Sequence, residues 1–359
     1  MKDCKQTIDP ILNRLNNLDY LRGLAAFGIM IYHYLSVTLG KFFSESFMGR
    51  IVIYGVSIFY VLSGLTLFYV YNNQMKPSIE DTISFFKKRI FRIFPLLWLV
   101  TIFSVILSRK VPDFLDLFLT LSGLFGFINW DPYFSGGVWS IGNELVFYVL
   151  FPFLMLFIKK FKLLMTLLST IILGLYIYFA YIKLDSNITF DEQWINYINP
   201  LNQVFLFLGG FLIGSFLCNS KIRNSFLIIL LFFSILLFTF YPTKGDIIFL
   251  VTGTNRLVFT TCCFMICISF YKMTLKFPKV IHNPLISLGK ISYSVYLLHP
   301  IIWTLTAYAS KVFIKYFFYF PEFFSLILSV IFTLLISYYV YKYFEKYFMK
   351  LGHIIKNNR

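Results

Sequence analysis

The first residues that point to chemistry are Arg22 and His33, which lie in the otherwise apolar stretch LDYLRGLAAFGIMIYHYL (18–35). An α-helix turns about 100° per residue and rises about 1.5 Å, so this spacing places both side chains on nearly one face, roughly 16 Å apart. Ionisable groups inside a membrane are costly and mark functional sites. Each residue also has a structural explanation when it is considered alone. The side chain of Arg22 can extend to the membrane surface, and His33 can form a hydrogen bond to another helix. Their shared face favours a catalytic pair.

A second candidate is Glu144, which follows Trp139 and Asn143 in the sequence GGVWSIGNELVFYVLFP (136–152). A carboxylate inside an apolar helix needs a partner, and we predict that His33 is that partner. Such a pair is a common unit of general-base catalysis, because the carboxylate orients the imidazole. The alternative is that Glu144 caps the first turns of its helix. Trp139 and Asn143 are weaker candidates for the same pocket.

A third candidate is the basic segment FFKKRIFRIFPLLWL (85–99), which contains Lys88, Arg89 and Arg92. Residues three apart share a helix face, so both arginines can point into one pocket. Guanidinium groups bind phosphate oxygens in pairs of hydrogen bonds. We therefore predict that these three residues hold the phosphates of a nucleotide-like donor. The alternative is the ordinary excess of positive charge at the cytoplasmic end of a membrane span.

Three further polar residues lie in apolar segments. His299 lies near the end of the hydroxyl-bearing stretch LGKISYSVYLLHP (288–300) and is equally explained as a site residue or as a hydrogen-bonding residue of the core. Ser63 lies in GVSIFYVLSGL, where the small residues Ser and Gly also favour close helix packing. Arg256 is predicted to face a polar cavity or a carboxylate, or else to reach the membrane surface. No metal site is predicted.

The elements that position these residues are predicted to be membrane helices. The chain has 359 residues, of which 58% are hydrophobic and 13% charged, a balance that excludes a soluble globular domain. A span needs about 20 apolar residues. Ten candidate spans lie at about 18–40, 51–71, 90–108, 138–158, 163–182, 199–218, 224–241, 247–271, 286–308 and 322–343.

The loop charges predict the orientation of these spans. Lys and Arg are concentrated in alternate loops, beginning with the N-terminal segment, which places both termini in the cytoplasm. The net charge of +16 is scattered over the ends of spans, so it argues against nucleic-acid binding. The sequence thus predicts an all-α polytopic membrane protein with one membrane-embedded domain over 1–359 and its core at about 16–345.

Five of these segments, in this order, resemble motifs of the bacterial membrane acyltransferase family 3, whose members O-acylate surface glycans. The family's Arg-x10-His matches Arg22 and His33, its GVxxFFVLSGF element resembles 55–65, and its RxxRIxP segment matches RIFRIFP. The elements WSLSVEEQFY and SYSIYLLHxP resemble WSIGNELVFY and SYSVYLLHPI. One departure is Leu145, which stands where the family has a second carboxylate after Glu144.

The resemblance implies transfer of an acyl group, usually acetyl, from cytoplasmic acyl-CoA to a hydroxyl of a cell-surface or lipid-linked glycan such as O-antigen or exopolysaccharide. Acetyl-CoA is then a donor substrate rather than a bound cofactor, and the location is the inner (cytoplasmic) membrane of a bacterial cell. Arg89 and Arg92 would hold the CoA phosphates, Arg22 would lie between them and the reacting centre, and His33 would act as general base or acyl carrier. The alternative is a multi-pass transporter or flippase for a glycolipid or acyl carrier, a class that usually shows inverted repeats.

Overall fold

The computed structural model describes residues 16–131, 133–274, 277–316 and 322–354, and the regular elements within those ranges are all helical. Short loops connect most of them. In chain order, the helices are α1 Asn16–Leu39, α2 Phe47–Tyr71, α3 Ile79–Ser108, α4 Phe114–Ser122, α5 Phe125–Ile128, α6 Val138–Lys160, α7 Lys162–Tyr178, α8 Trp194–Ile198, α9 Pro200–Leu217, α10 Asn224–Phe240, α11 Ile248–Val251, α12 Gly253–Lys272, α13 Lys279–Tyr316, α14 Glu322–Tyr339 and α15 Lys346–Ile354.

Among the described residues, eight helical stretches are long and apolar enough to cross a membrane. They comprise α2, α3, α6, α7 with its continuation to Lys183, α8 with α9, α12, most of α13, and α14 with α15. The other two predicted spans correspond to α1 and to α10, an apolar helix of 17 residues. The chain is therefore a multi-pass helical membrane protein, while the count of ten and the cytoplasmic termini stay predictions.

Helix α3 begins well before the predicted span. The side chain of Ser78 accepts a hydrogen bond from the backbone N–H of Asp81, and the acidic first turn suits the positive end of a helix. Because the helix begins at Ile79, Arg89 and Arg92 belong to its interior turns. They therefore face neighbouring helices on a rigid element instead of lying at a loop.

The last predicted span also extends further than the sequence indicated. Helix α14 continues through a π-helical segment, Val340–Glu345, directly into α15. Short π segments inside α-helices often occur at functional sites. Here Glu345 is buried and accepts a short hydrogen bond from the hydroxyl of Ser294.

Helices α1 and α13 cross in direct backbone contact, which brings two of the candidate segments together. A Cβ atom on Gly23 would lie 2.7 Å from the backbone nitrogen of Gly289, and a Cβ on Gly289 would lie 2.2 Å from the carbonyl oxygen of Asp19. Only glycine permits this approach. Helix α13 also runs without interruption through Pro284 and Pro300, so it carries its own candidate residues past α1 at fixed heights.

This crossing gives a stability prediction. Gly289→Ala is expected to lower the free energy of unfolding by about 1–3 kcal/mol, because the added methyl group must push two backbones apart. Gly174→Ala is the matched control, since that helical glycine has no atom near the position of a Cβ and alanine has the higher helix propensity. Thermal unfolding in detergent measures both. Equal melting temperatures for the two variants would show that the crossing is not tightly packed.

Candidate functional site

Two cavities lie one behind the other within the helix bundle. The first, which we call the basic cavity, is lined by Arg22, Arg89, Arg92 and Glu144 among others, and has an empty volume of about 750 Å³. The second, the histidine cavity, is lined by His33 and His299, with an empty volume of about 1000 Å³. Helices α1, α2, α6 and α13 contribute residues to both cavities, and α3 contributes only to the basic one.

Arg89 is held in place by aromatic rings. Its guanidinium carbon lies 5.9 Å, 5.7 Å and 5.7 Å from the ring centres of Tyr71, Phe85 and Tyr148. One Nη donates to the Tyr71 hydroxyl at 3.4 Å, and the buried Nε has no hydrogen-bond partner among the described residues. Stacking of this kind stabilises a cation while leaving donors free for a ligand. Arg92, one helical turn further on, lines the same cavity.

Arg22 is also directed into the basic cavity. Its guanidinium contacts the carboxylate of Asp19 at 3.3 Å and donates to the Thr66 hydroxyl of α2 at 3.5 Å. Its side chain keeps 18% of its surface exposed. The three predicted arginines therefore converge from α1 and α3 on one cavity. An arrangement of three guanidinium groups is suited to an anion with several negative charges.

Glu144 does not pair with His33, so that prediction was wrong. One of its carboxylate oxygens accepts from the Ser63 hydroxyl at 3.1 Å and from the Tyr148 hydroxyl in a short bond. His33 and Glu144 line different cavities because α6 places Glu144 deeper on the side of the arginines. Leu145, the departure from the family motif, faces the turn at Gly123 and is not among the residues lining the basic cavity.

His33 instead stacks on His299. The ring centres are 5.2 Å apart and the planes differ by 26°. The Nδ1 of His299 lies 3.2 Å from the carbonyl oxygen of Val295, and because a carbonyl only accepts, this nitrogen carries the proton. The Nε2 of His299 then keeps its lone pair. His299 is 2% exposed, whereas His33 is exposed and lines the cavity. The histidine cavity therefore contains two imidazoles in ring-to-ring contact.

The rest of the histidine cavity is aromatic with charged residues at its edge. Trp139 is buried and its ring lies 5.4 Å from that of Trp194 and 5.9 Å from that of Tyr197. Lys41 and Asp191, from two loops, form an exposed ion pair that also borders the cavity. The hydrogen bond that the Lys41 ammonium donates to the Asp191 carboxylate raises the pKa of Lys41. Aromatic faces with a few polar groups are typical of small-molecule pockets.

Three predicted residues lie elsewhere among the described residues. Asn143 is fully buried and donates to the Tyr60 hydroxyl at 3.1 Å. Lys88 packs beside Gly352 of α15. Arg256 is 5% exposed and donates to a backbone carbonyl of α9 at 3.0 Å. None of the three lines either cavity, so the structure does not place them with the other predicted residues.

Ser63 satisfies both of its alternative interpretations. The next residue, Gly64, is the close-packing position: a Cβ there would lie 2.0 Å from the carbonyl oxygen of Phe207 in α9. Ser63 itself lies on the other side of α2, where its hydroxyl reaches Glu144. Gly64 therefore allows the close contact between α2 and α9, while Ser63 contributes a hydroxyl to the basic cavity.

Two residues near the three arginines were not predicted from the sequence. Tyr148 hydrogen-bonds Glu144 and also contacts Arg89. It lies four residues after Glu144, and this spacing was the available signal, since such residues are neighbours on a helix. Glu345 lines a separate cavity that shares the three arginines with the basic cavity. It lies two residues beyond the predicted end of the last span, among lysines, and therefore looked like part of a surface.

Comparison with known proteins identifies the family of the chain. A family model described as an acyltransferase domain matches residues 15–342. The chain is 26% identical over 327 residues to the O-acetyltransferase OatA of Staphylococcus aureus, in strains NCTC 8325 / PS 47, COL and MRSA252. These alignments cover 82% of this chain and 51% of each relative, so the chain spans about half the length of the relatives it matches. No solved structure matches.

Proposed function

The chain belongs to the acyltransferase family whose model matches residues 15–342, and on this premise we propose that it transfers an acetyl group from acetyl-CoA to a hydroxyl of a glycan. The observation that carries the proposal is the pair of cavities. One cavity offers guanidinium groups and the other offers two imidazoles with an aromatic wall. A reaction between an anionic donor and an uncharged acceptor requires two such environments close together.

The basic cavity is the proposed donor site. Arg22, Arg89 and Arg92 would bind the phosphates of CoA, since each can form charge-assisted hydrogen bonds to phosphate oxygens. The unpartnered Nε of Arg89 supports this role, because a buried donor without a partner is costly unless a ligand accepts from it. The cavity lies at the end of the bundle whose loops are predicted to be cytoplasmic, where acyl-CoA is available.

The histidine cavity is the proposed acceptor site. The aromatic rings of Trp139, Trp194 and Tyr197 give flat apolar faces of the kind that cover one side of a sugar ring, while polar groups hold its hydroxyls. His33 would be the general base for the acceptor hydroxyl, and the ring of His299 would hold it in position by stacking. The base is thus positioned by a second imidazole instead of by Glu144.

The proposed chemistry can follow either of two orders. In direct transfer, His33 removes the hydroxyl proton, the oxygen forms a bond to the thioester carbonyl carbon, and the carbon–sulfur bond breaks. The CoA thiolate that leaves takes up the proton that His33 removed, so His33 returns to its neutral form and CoA leaves as the thiol. In a relay, a neutral nitrogen of His33 forms a bond to the carbonyl carbon as the carbon–sulfur bond breaks and the CoA thiolate leaves. The acceptor oxygen then forms a bond to the same carbon, the carbon–nitrogen bond breaks, and the hydroxyl proton neutralises the thiolate.

The acceptor class and the location complete the proposal. Matching relatives are named O-acetyltransferases, and we propose a cell-surface or lipid-linked glycan as acceptor and the cytoplasmic membrane of a bacterium as location. The family match gives no support to a glycolipid transporter.

The test is release of CoA thiol by the purified full chain in detergent or in proteoliposomes. Acetyl-CoA consumption is expected to rise several-fold when a glycan acceptor is added, with the acetyl group recovered on the glycan. Consumption that leaves no acetyl group on any envelope glycan tested would contradict the proposal.

A further inference from the structure

The basic cavity and the histidine cavity are separated by very little protein. Of the described residues, only Val56 of α2 and Tyr296 of α13 line both cavities. Both side chains are buried, at 5% and 6% exposure. Along α13, the residues that line the basic cavity, Ser292 and Tyr293, come before His299, which lines the histidine cavity. Tyr296 therefore lies at the height where one cavity ends and the other begins.

The ring of Tyr296 is fixed in this position by a chain of hydrogen bonds. Its hydroxyl lies 2.9 Å from the Ser140 hydroxyl, which in turn donates to the carbonyl oxygen of Gly137 at 2.8 Å. Because Ser140 has one proton and uses it on Gly137, Tyr296 must be the donor to Ser140. The tyrosine is thereby tied to the backbone at the start of α6.

Other aromatic rings pack against the sides of the Tyr296 ring. The ring of Phe59 lies 5.6 Å away in an edge-to-face contact, and the ring of His299 lies 6.2 Å away. Gly137 has φ +90°, and a Cβ there would lie 3.0 Å from the Tyr296 ring. A residue with a side chain at this position would displace the ring, so the glycine allows the tyrosine to close the gap.

We propose that Tyr296, together with Val56, is the partition that the acyl group crosses between donor and acceptor, and that it sets the upper limit of acyl length. The inference rests on the proposed function. An acetyl group extends only one methyl group beyond the thioester carbonyl, so its carbonyl carbon can reach the acceptor hydroxyl past the ring edge. A longer chain has to fit between Tyr296, Val56 and Phe59 at the moment of transfer, and the closed packing there leaves no space for it. Tyr296 is thus a specificity-determining residue.

The first test is the ratio of kcat/KM for butyryl-CoA to that for acetyl-CoA. Tyr296→Ala and Val56→Ala are each expected to raise this ratio by about tenfold or more, because one methylene in a tight pocket changes discrimination by roughly 10- to 200-fold. Tyr296→Phe keeps the ring and is expected to keep the wild-type ratio. Leu67→Ala is the matched control, since Leu67 lines the basic cavity away from the partition, and its ratio is expected to stay unchanged.

The second test needs no activity. In a chain whose native cysteines are replaced, Ser63→Cys places a thiol in the basic cavity, on the donor side of the partition. A charged, membrane-impermeant thiosulfonate is expected to label it from one side of sealed vesicles only, and from both sides when Tyr296→Ala is added.

These outcomes separate the inference from the function it rests on. If the wild type transfers acetyl groups but Tyr296→Ala and Val56→Ala both keep its ratio, the partition does not set acyl length and the inference is overturned. If Tyr296→Ala does not fold, the ratio of kcat/KM for butyryl-CoA to that for acetyl-CoA in Val56→Ala tests the inference instead. If the wild type transfers no acetyl group, the proposed function fails. If, in addition, the thiol at position 63 is still labelled from one side only after Tyr296→Ala is added, Tyr296 does not separate the two cavities and the inference fails too.

Discussion

Replacing His33 by alanine is expected to reduce acetyl transfer by about 10²- to 10⁴-fold, the range over which a positioned general base acts. The expected loss is in kcat, with the KM for acetyl-CoA nearly unchanged, because His33 lines the acceptor cavity and not the cavity of the arginines. The measurement is steady-state release of CoA thiol by the purified full chain with a glycan acceptor.

The control for this variant is His353→Ala, which removes an exposed histidine of α15 that lies outside both cavities. It is expected to retain wild-type activity and the same melting temperature. Incubation of the wild type with labelled acetyl-CoA, without acceptor, distinguishes the two orders of chemistry. Labelled protein that is absent from His33→Ala supports the relay, and unlabelled protein with full activity supports direct transfer. Retained activity in His33→Ala would contradict the proposed site.

Replacing Arg92 by alanine is expected to raise the KM for acetyl-CoA by about 10- to 100-fold with little change in kcat. A hydrogen bond to a charged group contributes about 1.5–3 kcal/mol, and each 1.4 kcal/mol corresponds to roughly tenfold in affinity. Loss of binding shared by ground state and transition state changes KM alone. Arg92 suits this test better than Arg89, whose ring contacts also stabilise the fold.

The control for Arg92 is a donor without phosphates, the acetyl thioester of N-acetylcysteamine. With that donor, Arg92→Ala and the wild type are expected to be equally active, because the group that the guanidinium binds is missing. Lys160→Ala, which removes an exposed charge at the end of α6, is expected to leave the KM for acetyl-CoA unchanged. An equal loss with both donors would show that Arg92 acts on the reacting group or on folding instead of on phosphate.

The sequence predicted the helices and the charged residues that line the basic cavity, because these depend on local composition and helical spacing. Arg22 and His33 do share one stripe of α1, but their separation along the axis puts them in two cavities. Arg89 and Arg92 converge with Arg22 as the phosphate-binding prediction requires.

The partners of these residues could not be predicted, because they depend on the height at which one helix crosses another. Glu144 and His33 were paired by their similar distance from the span ends. The packing of α6 places Glu144 beside Ser63, while the backbone contact of α1 and α13 brings His299 to His33. A shift of one helical turn, about 5.4 Å, suffices to exchange such partners.

Mass spectrometry of envelope glycans from cells that carry the wild-type chain, the His33→Ala chain or neither tests the central claim most directly. If the chain is a glycan O-acetyltransferase that uses His33, the wild type adds one acetyl group per modified sugar and the other two strains add none. Identical glycans in all three strains, with the wild-type protein present in the membrane, would contradict it.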